Sequence, residues 1–131
     1  MKEIRIIIAG SRTFSDYAKL KINVHKIVAN LIASFDSNNI RIISGTANGT
    51  DKLGERFAKE YGYKLSRFPA NWSIGKRAGY IRNEKMAQIA SEEDCYGVLI
   101  AFWDGESKGT KHMIDLAEKY ELEVHVIKYK E

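Results

Sequence analysis

Two short segments of the chain are apolar at almost every position, and this feature limits the possible folds most. Glu3–Ala9 reads EIRIIIA and Tyr96–Phe102 reads YGVLIAF. A strand with one solvated face alternates apolar and polar residues, whereas a strand buried on both faces of a sheet is apolar throughout. The two segments therefore predict central strands of a parallel sheet that is covered by helices on both sides.

The rest of the chain alternates between strand and helix patterns. Apolar residues at helical spacing predict helices from Ser15 or Asp16 to Phe35, over Lys52–Gly62, over Gly79–Ala90, and after Gly109. Weaker strand patterns lie at Ile40–Ile43, Tyr63–Phe68 and Glu123–Ile127. Repeated strand–helix units of this kind predict an α/β fold, here a three-layer α/β/α sandwich with a five-stranded parallel sheet.

The polarity of the strands also predicts their order. Tyr63–Phe68 and Glu123–Ile127 are partly polar and therefore fit the edges of the sheet. The order 3-2-1-4-5 places them there and keeps every crossover right-handed. We expect residues 1–131 to form one domain. Strands two and three extend the sheet to one side of strand one, and strands four and five extend it to the other side, so the order reverses between strands one and four. Ligands of open α/β sheets bind at the carboxyl ends of the strands at such a reversal.

The loop Ser44–Asp51, SGTANGTD, joins the second strand to the second helix and has the composition of an anion site. Its glycines let a ligand approach the backbone closely, and the first N–H groups of the helix lie at the positive end of the helix dipole. An ordinary turn with Thr50 or Asp51 as the helix N-cap explains the same residues. The predicted ligand-binding residues here are Ser44, Gly45, Thr46, Ala47, Gly49 and Asp51.

Two further loops follow the predicted central strands and are also rich in small residues. Gly10, Ser11 and Arg12 follow the first strand. The Arg12 guanidinium suits a phosphate or carboxylate through two parallel hydrogen bonds, although a surface ion pair is its other possible role. The loop after the fourth strand leads into the last helix, where Thr110 is part of an anion site, an N-cap, or both at once. Its candidate ligand residues are Trp103, Asp104, Gly105, Ser107, Gly109 and Thr110.

A basic cluster, KRAGYIRN over residues 76–83, begins the third helix. Positive side chains at a helix N-terminus oppose the dipole, which is unfavourable without a bound anion. Arg77 and Arg82 are therefore candidate ligand residues. Asn83 is expected to face the sheet, where its amide needs partners from a ligand or a neighbouring loop. Among the aromatic residues near the loops, Trp103 is the best candidate for stacking on a base.

Several motifs of enzymes and metal sites are missing. The sequence contains no GxxxxGK followed by Ser or Thr and no GxGxxG after the first strand. The three histidines and the single cysteine lack metal-ligand spacing, so no metal site is predicted. Ser11 and Ser44 have no recognisable base nearby in sequence, and the catalytic residues, if any, stay unknown.

Composition limits the partners and the compartment. A net charge of +4 and a pI near 9.1 suit an anionic ligand but fall short of a basic arm for duplex nucleic acid. No run reaches the roughly 18 apolar residues of a membrane span, and the first residues have no signal-peptide layout. The lone Cys95 is typical of a reducing compartment. We therefore expect a cytoplasmic protein without a membrane partner.

Five segments, taken together and in order, resemble the YspA/YpsA-related branch of the SLOG superfamily, which also contains the DNA-processing protein Smf/DprA and the LOG proteins. They cover nearly the whole chain and read GSRTF at 10–14, SGTANGTD at 44–51, FPANW at 68–72, GKRAGYIRN at 75–83 and AFWDGESKGT at 101–110. The resemblance implies a Rossmann-like domain that binds a nucleotide or nucleotide-derived phosphorylated ligand at the loop ends. It also implies a bacterial or phage origin and association into a homo-oligomer.

The branches of this superfamily differ in activity. LOG enzymes cleave the base from a nucleoside monophosphate and carry the signature PGGxGTxxE, whose Glu takes part in the chemistry. Gly109 and Thr110 match the GT pair, but Met113 stands where the Glu would be. The resemblance therefore implies phosphate binding at this loop and leaves LOG-type hydrolysis in doubt.

Three functions follow as hypotheses. The first is a small sensor or sequestering module for a nucleotide-type ligand, with no other cofactor predicted. The second is a hydrolase of N-glycosidic or phosphoester bonds, in which Asp51, Asp104 or Glu106 replaces the missing Glu. The third is binding of single-stranded nucleic acid, as in DprA.

Overall fold

The computed structural model describes residues 1–129. Within this range the strands are β1 (Glu3–Gly10), β2 (Ile40–Ser44), β3 (Lys64–Arg67), β4 (Cys95–Trp103) and β5 (Glu123–Lys128). The helices are α1 (Tyr17–Phe35), α2 (Thr50–Tyr61), α3 (Arg77–Ala90) and α4 (Lys108–Lys119), with a 3₁₀ turn at Trp72–Ile74.

The strands form one parallel sheet in the order β3-β2-β1-β4-β5, which confirms the predicted fold and strand order. β1 and β4 pair along their whole shared length, from Glu3 opposite Cys95 to Gly10 opposite Phe102. The edge strands β3 and β5 contain no fully buried residue. The apolar strands are central because only a central strand loses solvent on both faces and both edges.

Alternate residues of β1 face the two helical layers. Ile4, Ile6 and Ile8 pack into a core under α1 and α2, whereas Ile7 and Ala9 pack into a second core under α3 and α4. Successive side chains of a strand point to opposite faces, so an apolar strand supplies both cores at once. The sheet thus has helices on both sides, as the sequence predicts.

The start of α2 differs from the expectation. Gly49 is the N-cap, and neither Thr50 nor Asp51 caps the helix. The Thr50 hydroxyl instead donates to the carbonyl of Ser11 at 3.0 Å, and the Asp51 carboxylate accepts from the N–H of Ala47 at 3.1 Å. The alternative explanation of the loop, an ordinary turn with Thr50 or Asp51 as the cap, is wrong because both side chains bind other parts of the loops. The C-cap is Gly62, with φ 71°.

The segment before α3 is more ordered than a plain connection. α3 begins at Arg77, two residues before the predicted start at Gly79. The 3₁₀ turn that precedes it begins after Asn71, whose side chain accepts from the N–H of Ser73 at 3.3 Å. Periodicity did not reveal this turn because one turn of helix is too short to show a repeat. Among residues 1–129, no helix has both the length and the apolar content that crossing a bilayer requires.

Candidate functional site

A cavity of about 220 Å³ opens at the carboxyl edge of the sheet, where the strand order reverses between β1 and β4. Its walls come from the end of β1, the β2–α2 loop, the segment leading into α3, α3 itself and the start of α4. We call it the carboxyl-edge cavity. It lies where a doubly wound parallel sheet is expected to bind its ligand.

Half of the residues predicted to bind a ligand line this cavity: Gly10, Arg12, Ala47, Asp51, Arg82, Asn83, Ser107, Gly109 and Thr110. They come from four segments that are distant in sequence. Their convergence is a finding, and their contact with a ligand stays a prediction. Met113, which stands at the position of the LOG glutamate, also lines the cavity.

Ser11 does not line the cavity but ties its loops together. The carbonyl of Ser11 accepts from the N–H of Thr50 at 3.3 Å and from its hydroxyl at 3.0 Å. The Ser11 hydroxyl accepts from the N–H of Asp104 at 3.3 Å. Ser11 is 2% exposed. It was predicted as a ligand-binding residue, and the structure places it as a buried residue that connects three loops.

Ser44 and Thr46 shape the β2–α2 loop from behind. The Ser44 hydroxyl donates to the buried carboxylate of Glu55 at 2.7 Å and accepts from the N–H of Thr46 at 3.0 Å. Thr46 has φ 66°, an unfavourable conformation for a β-branched residue that persists only where surrounding contacts impose it. Glu55 was not among the residues predicted from sequence, because nothing in the sequence indicates that it pairs with Ser44.

The glycines of the same loop are required by close packing. A Cβ at Gly45 would lie 2.8 Å from a guanidinium nitrogen of Arg82, and one at Gly49 would lie 2.3 Å from the carbonyl oxygen of Arg12. Gly49 also has φ 78°. These glycines therefore bring protein segments together, in addition to any approach by a ligand.

Trp103, Asp104, Gly105 and Arg77 lie outside the lining of the cavity. The Trp103 indole N–H donates to the carbonyl of Ser107 at 3.1 Å. Asp104 accepts from the N–H groups of Glu106 and Ser107 at 2.9 and 2.8 Å, and these bonds, the one from Ser107 first, hold the pKa of Asp104 below its ordinary value. A ligand contact by any of the four stays a prediction.

The aromatic residues that do line the cavity are Trp72 and Tyr80. They are 52% and 45% exposed, so each ring presents a face or edge at the mouth. The guanidinium carbon of Arg12 lies 5.6 Å from the centre of the Trp72 ring, within the range of a cation–π contact. Trp103 ranked first among the stacking candidates from sequence, but the 3₁₀ turn and α3 carry the rings that reach the cavity.

The first turn of α4 contributes backbone groups. Ser107 is the N-cap and accepts from the N–H of Thr110 at 3.4 Å. A Cβ at Gly109 would meet nothing within 4 Å, so the space beside its backbone is open. The N–H groups of Lys108 and Gly109 belong to the part of the helix that has no intrahelical acceptor.

The charges around the cavity do not balance. Among the described lining residues, Arg12, Lys76 and Arg82 are cationic, and Asp51 is the one carboxylate. Burial, and to a lesser degree the charge of Arg12, lowers the pKa of Arg82, whereas Asp51 opposes this change. Like charges held together without full compensation favour an anion between them.

Asp51 is 6% exposed. Burial raises its pKa to about 6, against the opposing effects of the Ala47 N–H bond and the Arg82 charge. A carboxyl group that titrates near neutral pH inside a cavity is a candidate acid or base. Of the three carboxylates considered from sequence, Asp51 is the one that lines the cavity.

Asn83 is buried, as predicted, and its partners come from the protein. Its side-chain oxygen accepts from Nε of Arg82 at 3.0 Å. Its amide nitrogen lies 3.3 Å from the carbonyl oxygen of Gly109 and 3.2 Å from Nδ1 of His112. Sequence reasoning considered His112 only as a metal ligand. Within residues 1–129, no three His, Cys, Asp or Glu side chains are grouped as a metal ion would require.

The fold and the cavity define a Rossmann-like α/β domain with a cationic pocket at the reversal of its strand order. The model of the YAcAr family, described as the YspA, cpYpsA-related SLOG family, matches residues 4–75, more than half of the chain. The protein therefore belongs to this family, which confirms the resemblance seen in the sequence and suggests, in general terms, binding or processing of nucleotides. No curated protein and no solved structure matches the chain significantly.

Proposed function

We propose that the carboxyl-edge cavity binds a nucleotide or nucleotide-derived phosphorylated ligand, and that the protein acts as a sensor or sequestering module. The surplus of cations around the cavity is the observation that carries the proposal. A phosphate placed between Arg12 and Arg82 accepts charge-assisted hydrogen bonds from both guanidinium groups, and these are among the stronger hydrogen bonds in proteins.

The remaining walls suit the rest of such a ligand. The open backbone beside Gly109 at the start of α4 adds N–H donors for a phosphate. Trp72 and Tyr80 at the mouth offer rings on which a base stacks. The buried carboxylate of Asp51 is an acceptor for sugar hydroxyl groups. Family membership supports the same class of ligand.

Titration calorimetry against nucleoside phosphates, ADP-ribose and cyclic nucleotides tests the proposal. We expect one class to bind, with an affinity that falls as salt is added, because exposed charges are screened. Lys76→Ala removes a lysine that lines the cavity, and Lys59→Ala removes an exposed lysine of α2 that does not. We expect Lys76→Ala to bind the nucleotide-type ligand more weakly and Lys59→Ala to bind it as the wild type does. Folded protein that binds no member of the panel would count against the proposal.

A nucleotide hydrolase is the second candidate, and the position of Asp51 favours it. Its pKa of about 6 lets the carboxyl group exchange a proton near neutral pH within the cavity. Incubation of the same panel with the protein, followed by chromatography, tests this function. We expect cleavage by the wild type and none by Asp51→Asn, with binding retained. Intact substrates at high protein concentration would reject hydrolysis and leave the binding proposal standing.

Binding of single-stranded nucleic acid and self-association are also retained as proposals. Proteins that bind single strands stack the bases on aromatic rings and place cations along the phosphates. The exposed rings of Trp72 and Tyr80 and the cation of Lys76 provide both kinds of group. A gel shift at low salt that weakens steeply with added salt is expected, and no shift would dismiss the idea. Sedimentation that finds only monomer at micromolar concentration would dismiss association into a homo-oligomer.

A further inference from the structure

Arg82 is held at the cavity by two protein acceptors. One terminal nitrogen of its guanidinium donates to the carbonyl of Gly45, and Nε donates to the side-chain oxygen of Asn83 at 3.0 Å. A guanidinium has five N–H donors, so these two bonds use two of them. The bond at Nε decides the direction of the group, because Nε lies where the planar fork joins its flexible stem.

The orientation of the Asn83 amide follows from its neighbours. Arginine can only donate, so the atom of Asn83 that faces Nε must be the oxygen. The carbonyl of Gly109 can only accept, so the atom of Asn83 that faces it must be the nitrogen. Two independent partners therefore require the same orientation of the amide.

This orientation fixes the protonation state of His112. The Asn83 nitrogen lies 3.2 Å from Nδ1 of His112 and is a donor, so Nδ1 must accept and the hydrogen of the neutral ring is on Nε2. An imidazolium would direct its own N–H toward the amide N–H and break this bond. The neutral form of His112 is thus a condition for the hydrogen-bond chain from α4 to Arg82.

The groups around His112 have opposing effects on its pKa. Its ring and the ring of Tyr80 on α3 form a T-shaped contact, with ring centres 4.4 Å apart. Burial lowers the pKa of His112, whereas the carboxylates of Asp115 on α4 and Glu84 on α3 act in the opposite direction. The ring is therefore neutral at physiological pH and becomes charged only at a pH below the range of an ordinary histidine.

We propose that Asn83 and His112 are positioning residues for the anion site, in which unprotonated Nδ1 of His112 fixes the Asn83 amide and Asn83 in turn directs the Arg82 guanidinium into the carboxyl-edge cavity. That Arg82 meets a phosphate rests on the proposed function. The hydrogen-bond chain from His112 through Asn83 to Arg82 is a property of the protein without ligand. Protonation of His112 removes one of the two hydrogen bonds that hold the Asn83 nitrogen and leaves only the bond to Gly109, so the direction of Arg82 depends on pH. Asp51 on the same cavity titrates as well and must be replaced in parallel to isolate this effect.

Nitrogen-15 NMR of the ligand-free protein tests the chain directly. At about pH 7.5 we expect His112 to carry its hydrogen on Nε2, and we expect Nε–H of Arg82 to exchange with water about tenfold more slowly than that of the exposed Arg77. At an acidic pH at which the His112 signals show that the ring has become charged, the protection of Arg82 is lost. The same titration in an Asp51→Asn background should give the same result.

Three variants separate positioning from a general effect on the fold. His112→Phe removes the acceptor, and we expect fast exchange of Arg82 Nε–H at every pH tested. His112→Asn carries its side-chain oxygen at the same number of bonds from Cα as Nδ1 and does not titrate, so we expect protection at both pH values. His125→Phe on β5 is the control, because His125 instead contacts Glu123 at 2.6 Å, and it should behave like the wild type.

The outcomes distinguish this inference from the proposed function. A hydrogen on Nδ1 of His112 near neutral pH, or protection of Arg82 that survives His112→Phe, would overturn the positioning chain even if nucleotides bind. If the hydrogen-bond chain is found as described but the protein binds no nucleotide, the inference stands and only the proposed nucleotide binding is contradicted. If a nucleotide does bind, we expect His112→Phe to weaken it about tenfold and His112→Asn to restore it.

Discussion

Two buried carboxylates at opposite edges of the sheet have opposite protonation behaviour. Glu3 at the amino edge is 5% exposed and Asp51 at the carboxyl edge is 6% exposed. The pKa of Glu3 is lowered to about 2, whereas the pKa of Asp51 is raised to about 6. Burial disfavours the charged form of both groups, but Asp51 lies deeper in the protein than Glu3, and the partners of the two carboxylates differ as well.

Glu3 is surrounded by cations that bind it directly. Its oxygens lie 3.0 Å from Nε of Arg41, 2.9 Å from Nε of Arg5 and 3.4 Å from Nζ of Lys64. The hydrogen bond from Arg41 lowers the pKa most and outweighs burial. Arg5 also contacts Glu92 at 2.5 Å. Every charged group of this ionic network therefore has an oppositely charged partner within 3.4 Å.

Asp51 has a single backbone N–H bond, from Ala47, and its cationic neighbours Arg82 and Arg12 act only at longer range. Burial therefore dominates its pKa. The comparison teaches that the amino edge uses its charges to hold strands together, whereas the carboxyl edge leaves its charges partly unmatched. Unmatched charge around a cavity is stable only if a ligand or the rest of the fold compensates for it.

The largest expected effect is at the amino edge. Glu3→Gln removes the charge that three cations share and leaves the nearly buried Arg5 with Glu92 as its remaining carboxylate partner. We expect a loss of about 3 kcal/mol in the free energy of unfolding, measured with urea near neutral pH. Glu93→Gln, an exposed neighbour of the network, should change it by less than about 0.5 kcal/mol. Equal stability of Glu3→Gln and the wild type would break the comparison.

The pH dependence of this effect has a definite sign. The folded state lowers the pKa of Glu3 from 4.5 to about 2 and thus favours the ionised form. The stabilisation is complete above the unfolded value and is lost as the pH falls toward the folded value. The difference between the wild type and Glu3→Gln should therefore shrink on acidification within this range.

The next effect is at the carboxyl edge and has the opposite sign. Asp51→Asn removes a buried charge and keeps an oxygen for the Ala47 N–H, so we expect the free energy of unfolding to rise by about 2 kcal/mol at about pH 7.5. The folded pKa is raised from 3.8 to about 6, so the stability gained from protonated Asp51 is present at low pH and lost as the pH rises. The advantage of the variant should therefore shrink below about pH 6. Asp36→Asn, at an exposed helix end, is the control. A destabilised Asp51→Asn would show that its charge is matched.

Arg12→Ala tests whether the unmatched cations serve a ligand. We expect the affinity for the nucleotide-type ligand to fall about tenfold, because one charge-assisted pair is lost. Arg12→Lys keeps the charge but loses the planar fork and should have a smaller effect. Calorimetry measures both, and urea unfolding should find little change because Arg12 is exposed. Unchanged affinity in both variants would remove Arg12 from the site.

The smallest effect is expected from Gly109→Ala. The added methyl group meets nothing within 4 Å, and alanine favours a helix over glycine by up to about 1 kcal/mol. Stability should therefore stay equal or rise slightly. We expect ligand affinity to fall by less than about tenfold, because the methyl group narrows the approach to the α4 backbone. Full affinity in calorimetry would place the ligand away from α4.

The sequence was sufficient for the fold because its signal is local and repeated. The apolar runs at Glu3–Ala9 and Tyr96–Phe102 each require burial on both faces, and the polar edge strands leave one sensible order. The order in turn brings loops distant in sequence to one edge. The convergence of Arg12 and Thr110 on one cavity was predictable for this reason.

Sequence reasoning was weakest on the direction of individual side chains. Asp51 and Asp104 both lie in glycine-rich loops, but only Asp51 reaches the cavity, because Asp104 accepts two N–H bonds from its own loop. From sequence, Trp103 was the best candidate for an aromatic contact, but it lies outside the lining of the cavity. A 3₁₀ turn without a periodic signal places Trp72 at the mouth.

The sequence by itself determined the α/β layers, the strand order and the edge at which a ligand is expected, since each depends on the pattern of apolar residues along the chain. Only the tertiary structure decided that Asp51 is buried among partly unmatched charges and that Asn83 is joined to His112, 29 residues away. The physical reason is that burial and hydrogen bonding across α3 and α4 depend on how the two helices pack, and no local pattern records that packing.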